Sequence, residues 1–167
     1  IGRNAPFGFD RTNTLVSVFD ENATTDDQPR SISLDDSYPY TKIDQDYFAA
    51  TDIRLLKGRN FTEQDRDYLA PVVIINQAAA GMFFTDKEAL GQYLQIPVSQ
   101  DALEIVGIVE TVKHRSLGEK DKPFFYVPLN ESFGHGASII IRTTTDPQQM
   151  IEQVKNAITE VEPLVAL

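Results

Sequence analysis

Apolar residues along this chain gather into short runs separated by polar, turn-rich stretches, and both the two-residue and the 3.6-residue periods occur. Residues 1–13, rich in Gly, Asn, Pro and charge, read as a loose entry segment. Leu15–Phe19 is a short β-prone run, and the acidic stretch DENATTDDQPR, Asp20–Arg30, reads as an exposed loop after it. Tyr38–Ile43 is the next extended piece. Asp44 then predicts the N-cap of a short helix that carries Tyr47 and Phe48 and ends near Thr51. Ile53–Leu56 runs into the turn GRNFTEQD, Gly58–Asp65, which opens a charged loop. Val72–Ile75 is a β-branched run, the mark of a strand covered on both faces. Asn76 can cap the helix that follows, Gln77–Phe84, whose alanines permit close packing.

Gly91–Ile96 alternates and predicts a half-exposed strand. Leu103–Lys113 is the strongest strand signal, with Ile105–Val109 apolar at successive positions and therefore covered on both faces. Gly107 inside that run predicts a bulge or a close backbone approach. Phe124–Val127 and Ser138–Thr143 predict two more strands. Asp146 and Pro147 then start the clearest helix, with Asp as N-cap, Pro at N1 and Gln149 at N3. Ile151, Val154, Ile158 and Val161 form one apolar stripe on it, and Pro163 stops it. Strands and helices mix without strict alternation, which defines an α+β class; no internal repeat is visible.

Composition narrows the function more than the fold. A chain of 167 residues with 41% hydrophobic content makes one domain or two small lobes sharing a core. The net charge of −10 argues against nucleic acid and against anionic lipid head groups as partners. The absence of cysteine excludes thiol catalysis, disulfides and Cys-based zinc sites. No run reaches the roughly 18 apolar residues of a membrane span. The longest, Leu69–Phe84, is broken by Pro71, Asn76 and Gln77. With Ile1 in first place and no signal-peptide pattern, the sequence is expected to be a soluble piece of something larger.

Candidate chemistry is sparse. His114, in the basic patch KHR, and His135, in the turn GHG, read as solvated loop side chains rather than proton shuttles. No serine sits in a nucleophile elbow, and no Gly-rich loop ends in Lys-Ser or Lys-Thr, so neither acyl transfer nor a P-loop is expected. Asp20, Asn22, Asp26 and Asp27 could attract calcium. Their loop, however, lacks the glycine and glutamate of an EF-hand and reads as solvated. Asn-x-Ser/Thr triplets begin at Asn22, Asn60 and Asn130; chance supplies roughly one in a chain this long, so they add little to the case for a eukaryotic secreted protein. The residues alone therefore predict a scaffold with no cofactor and no metal.

Several runs, in order, resemble the extracytoplasmic core domain of MacB-type ABC transporter permeases, in the FtsX-like superfamily. The first is KIDQDYFAATDIRLLKGRNFTEQD, Lys42–Asp65, with its Tyr47-Phe48 pair and the sequence Gly58, Arg59, Phe61, Asp65. PVVIINQAAAGMFF, Pro71–Phe84, resembles the family's strand that ends in Asn, here Asn76, and passes into an alanine-rich helix. EALGQYLQI, Glu88–Ile96, contributes Gly91, and EIVGIVETVKHRSL, Glu104–Leu117, contributes Gly107. PFFYVPL, Pro123–Leu129 with Pro128, and IIIRTTTDPQQM, Ile139–Met150, complete the series. The family's first strand and helix have no evident counterpart before Leu15. Physically, Gly58 reads as a turn glycine and Arg59 as a guanidinium able to pair Asp65 or Asp67. These are structural roles, not catalytic ones.

The resemblance implies a mixed-sheet, two-lobed α+β domain on the periplasmic side of the bacterial inner membrane. Residues 1–52 and 126–167 would form a porter-like lobe, and residues 53–125 an inserted Sabre-like lobe. Its implied partners are the membrane helices of the parent permease, a dimer mate, a cytoplasmic ATPase acting indirectly, and a periplasmic adaptor in some members. The implied role is to relay ATP-driven motion to export or release of cargo. The competing classes are a free-standing secreted solute- or peptide-binding module and a stand-alone hydrolase. The latter lacks any visible acid–base constellation.

Overall fold

The computed structural model describes residues 16–18, 30–32, 40–67, 71–96, 101–113, 118, 120–129 and 138–161. Their eight strands join one mixed sheet. In chain order the elements are β1 (Val16–Val18), β2 (Arg30–Ile32), β3 (Tyr40–Ile43), α1 (Tyr47–Thr51), β4 (Leu55–Gly58), β5 (Val72–Asn76), α2 (Gln77–Phe83), β6 (Tyr93–Gln95), β7 (Leu103–Val109), β8 (Phe125–Pro128) and α3 (Pro147–Val161), with a 3-10 turn at Glu63–Asp67 before β5. The strand order is β2-β1-β6-β7-β5-β8-β3. β5 runs parallel to β7 and β3 parallel to β8, and the other pairings are antiparallel. One edge of β7 is shared by β6 at its start and β4 at its end.

Two apolar layers cover the sheet, as the β-branched runs require. On one face Val73, Ile75, Ile105, Ile108, Phe125 and Val127 pack with Ala79 and Phe83 of α2. On the other, Val72, Ile74, Val106, Val109, Phe124 and Tyr126 pack with Phe48 of α1 and with Phe61. Burying one such side chain stabilises by about 1.5–3 kcal/mol, so β5, β7 and β8 anchor the domain. A β-bulge explains an irregularity in the alternation. Val73 faces Ile105 but Ile74 faces Gly107, so Val106 is the extra residue. The extra residue shifts the parity of β7, which is why Ile105 and Ile108 share a face.

Two expectations need correction. Ser138–Thr143 joins no strand pairing, although Ile139 and Ile141 alternate as a strand would. The N-cap of α1 is Asp46, not Asp44; Asp44 instead accepts the Asp46 N–H at 3.0 Å in a turn before the helix. The α3 helix forms where expected, with Asp146 Oδ1 accepting the Gln148 N–H at 3.0 Å, yet no residue of it is buried. The entry segment 1–13, the acidic loop Asp20–Asp27 and both histidines lie outside the described residues.

Candidate functional site

The motif residues Tyr47, Phe48, Gly58, Arg59, Phe61, Asp65 and Gly107 come together around the end of β4 and the bulge of β7. Gly58 pairs with Gly107 across the two strands. Gly58 has φ +73°, and a Cβ there would stand 2.2 Å from the Val106 carbonyl oxygen. At Gly107 a Cβ would stand 2.5 Å from the Arg59 carbonyl oxygen. Both expectations for Gly107, bulge and close approach, are met. The backbone of Arg59 then donates to Val106 O at 2.9 Å, which fixes the departure of the chain from the sheet.

From there the turn folds back on itself. Arg59 grips Asp65 in a two-pronged pair, Nη1 to Oδ2 at 2.8 Å and Nη2 to Oδ1 at 3.1 Å. Thr62 adds its backbone N–H at 2.7 Å and its hydroxyl at 2.8 Å to the same carboxylate. Burial of Asp65 would push its carboxyl up, but the hydrogen bonds from Arg59 and Thr62 and the guanidinium charge hold it below the ordinary carboxylate value. The hydrogen bond to Asp65 in turn raises Arg59. Asn60 donates from Nδ2 to Gln45 O at 2.7 Å and accepts the Phe61 N–H at 2.8 Å, so its side chain is committed to joining the turn to α1.

Beneath the turn lies an aromatic cluster. Phe48 meets Tyr126 edge-on at 5.0 Å, and Tyr47 lies 5.6 Å from Phe48 and 6.0 Å from Tyr126. Burial pushes the Tyr47 hydroxyl up to about 12 and the Tyr126 hydroxyl further still. The Tyr126 hydroxyl has no hydrogen-bond partner among the described residues.

The other motif residues act elsewhere. Asn76 caps α2: its Oδ1 accepts Ala79 N–H at 2.9 Å and Phe124 N–H at 3.1 Å, while Nδ2 donates to Lys122 O at 2.8 Å. Gly91 donates its N–H to Ile105 O at 2.8 Å in the turn before β6, and Pro128 ends β8 opposite Ile43. Sequence reasoning missed Thr111, whose hydroxyl accepts the Ala78 N–H at 2.9 Å as a second cap of α2. It also missed Glu110, which accepts from Arg54 N at 3.0 Å and Arg54 Nε at 2.9 Å, and the Lys57–Glu88 pair at 2.7 Å. The partners of Thr111 and Glu110 lie 33 and 56 residues away, so no local pattern announces them. Among the described residues no group of three or more His, Asp or Glu side chains could hold a metal ion.

A mixed sheet with helices on both faces, its polar side chains spent on caps and turns, defines an α+β scaffold domain. The MacB-like periplasmic core domain family matches residues 9–161, and the chain belongs to it. It is a non-catalytic module, the periplasmic or extracellular region of an ABC transporter permease. Over 96 residues it is 36% identical to YvrN, an uncharacterized ABC transporter permease of Bacillus subtilis (strain 168), covering 55% of this chain and 23% of that protein. Its fold is similar to the periplasmic region of MacB from Actinobacillus actinomycetemcomitans, with TM-score 0.56 and 18% identity over 89% of this chain and 64% of that one. It is also similar to the extracellular domain of the noncanonic ABC-type transporter YknZ from Gram-positive bacteria, with TM-score 0.52 and 15% identity over 90% of this chain and 75% of that one. The chain thus spans under a quarter of the permease it matches. No helix of the described residues is long and apolar enough to cross a membrane.

Proposed function

We propose that this domain works mechanically, relaying ATP-driven motion of the parent permease's membrane helices to the export or release of cargo. The family match across residues 9–161 carries this reading. The motif residues support it, since each serves a turn, a cap or the core rather than a reaction. On this reading a cytoplasmic ATPase acts on the domain through the membrane helices, and its outer surface meets a dimer mate or a periplasmic adaptor. Residues 1–52 with 126–167 form the porter-like lobe, and residues 53–125 the Sabre-like one, both drawing on one sheet. Tethering raises effective concentration into the millimolar range, so contacts with a dimer mate can be weak in the free chain. Sedimentation at micromolar concentration is expected to give a monomer or a weak dimer.

The direct test uses the full permease with its ATPase in proteoliposomes. Replacing residues 16–161 by a Gly/Ser linker should abolish cargo movement and leave basal ATP hydrolysis in place. Cargo movement at the unaltered rate would overturn the mechanical reading.

A further inference from the structure

Residues 138–161 form an arm, an extended segment followed by α3, whose attachment to the sheet is unusually narrow. Among the described residues, every hydrogen bond between this arm and the rest of the domain comes from one side chain. Arg142 Nη1 donates to the Ala49 carbonyl at 3.1 Å and to Asp52 Oδ1 at 3.3 Å. Apolar packing of the arm is partial. Ile140, Met150, Val154 and Ile158 are half-buried, whereas Ile139 is 65% exposed and Val161 85%, Ile141 and Ile151 are also exposed, and no α3 residue is fully buried.

The place that Arg142 grips is chemically suited to a cation. Ala49 and Asp52 stand at the C-terminal end of α1, where carbonyls lack helical partners and the helix dipole is negative. Asp52 there adopts φ 62°, and its N–H donates to Phe48 O. Phe48 in turn packs on Tyr126 of β8. A continuous physical path therefore runs from the arm through Arg142 and the end of α1 into the sheet core. Arg142 and Asp52 are both exposed, so salt reaches and weakens this grip.

We propose that Arg142 is a latch that holds the 138–161 arm against α1, and that the arm exchanges between a latched and a released position as this grip closes and opens. The latch is a property of the chain itself and stands whether or not the transport reading holds. The chain has no cysteine, so spin labels at Asp86→Cys and Gln153→Cys report the distance between the sheet body and α3 without background labelling. Wild type should show one dominant distance at low salt. Arg142→Gln should raise the population at other distances several-fold. Asp52→Asn should shift it in the same direction but less, because the Ala49 carbonyl remains, and 1 M salt should act on wild type as Asp52→Asn does. Far-UV circular dichroism identical to wild type confirms that only the arm has moved. A distance distribution unchanged in both variants, or already broad in wild type, overturns the latch.

Discussion

The sheet centre and the 138–161 arm carry similar apolar patterns and end in opposite environments. Val72–Ile75 and Ile105–Val109 lie buried between two layers, whereas Ile139, Ile141, Ile151 and Val161 face solvent. The difference is one of neighbours. Each strand of the centre has others on both sides, and α1, α2 and the Gly58–Asp65 turn close over its faces. The arm is covered only in part: Ile140, Met150, Val154 and Ile158 are half-buried, and no residue of α3 is fully buried. An amphipathic stripe states that a segment can bury one face, and the burial itself depends on what the fold brings opposite.

The comparison breaks most visibly at the glycines. Gly58→Ala forces a side chain into a left-handed backbone and against the Val106 carbonyl. Strain and overpacking together should cost on the order of 3–5 kcal/mol. Gly81→Ala in α2 meets nothing within 4 Å and should stabilise by about 0.5–1 kcal/mol. Urea melts of both variants check the contrast, and equal effects would show that the β4–β7 crossing is not tight.

Next in size, Ile105→Ala should cost about 2–5 kcal/mol, as deletions from closed cores do. Ile151→Ala on the arm should stay within about 0.5 kcal/mol of wild type. A large loss at Ile151 would mean that the arm is packed, and would erase the difference between the two regions.

Much of the centre was legible in the sequence because its signals are local. The β-branched run of β5, the Asn76 cap, Gly107 in β7 and the Gly58-Arg59 turn each act through chain neighbours or through a conformation that only certain residues take. What escaped was set by distant partners. Thr111 caps a helix that it follows by 33 residues, and Glu110 anchors Arg54 across 56. The expected strand at Ser138–Thr143 has the right alternation, but pairing needs an open strand edge beside it, which a sequence pattern cannot specify. The swap of Asp44 for Asp46 at the start of α1 is a local matter instead: Asp44 accepts the Asp46 N–H in the turn, and Asp46 holds the N-cap place with no side-chain cap bond.

Within the centre, Asp65 sharpens the comparison through pH. Its carboxyl is held low in the folded state by Arg59 and Thr62, so the folded chain binds fewer protons there than the unfolded chain. The resulting stability is complete above the unfolded value of about 3.9 and is lost as pH falls below it. Asp65→Ala should cost about 1–3 kcal/mol at neutral pH and flatten that acid-side loss. Melts at pH 3 and 7 that show the same loss in wild type and variant would remove Asp65 from this role.

The smallest effect is expected at the most buried hydroxyl. Tyr126 is fully buried, and its ring is held by Phe48 and Phe124 at 5.0 and 4.9 Å, while its hydroxyl lacks a hydrogen-bond partner among the described residues. Taking an unpaired hydroxyl out of water costs about 1–3 kcal/mol, and Tyr126→Phe removes that cost while keeping the ring contacts. The variant should be neutral or up to about 1 kcal/mol more stable. Alkali provides an independent reading of the same cluster. Tyr47 and Tyr126 are both raised by burial, so the unfolded chain loses its phenol protons first, and stability should fall as pH climbs from about 10 toward the Tyr47 value of about 12. Tyr126→Phe should soften that fall, leaving the share due to Tyr47. A loss of more than about 1 kcal/mol at neutral pH would instead mean that the hydroxyl is hydrogen-bonded in the folded chain, and the aromatic cluster would then be held by polar contacts as well as by packing.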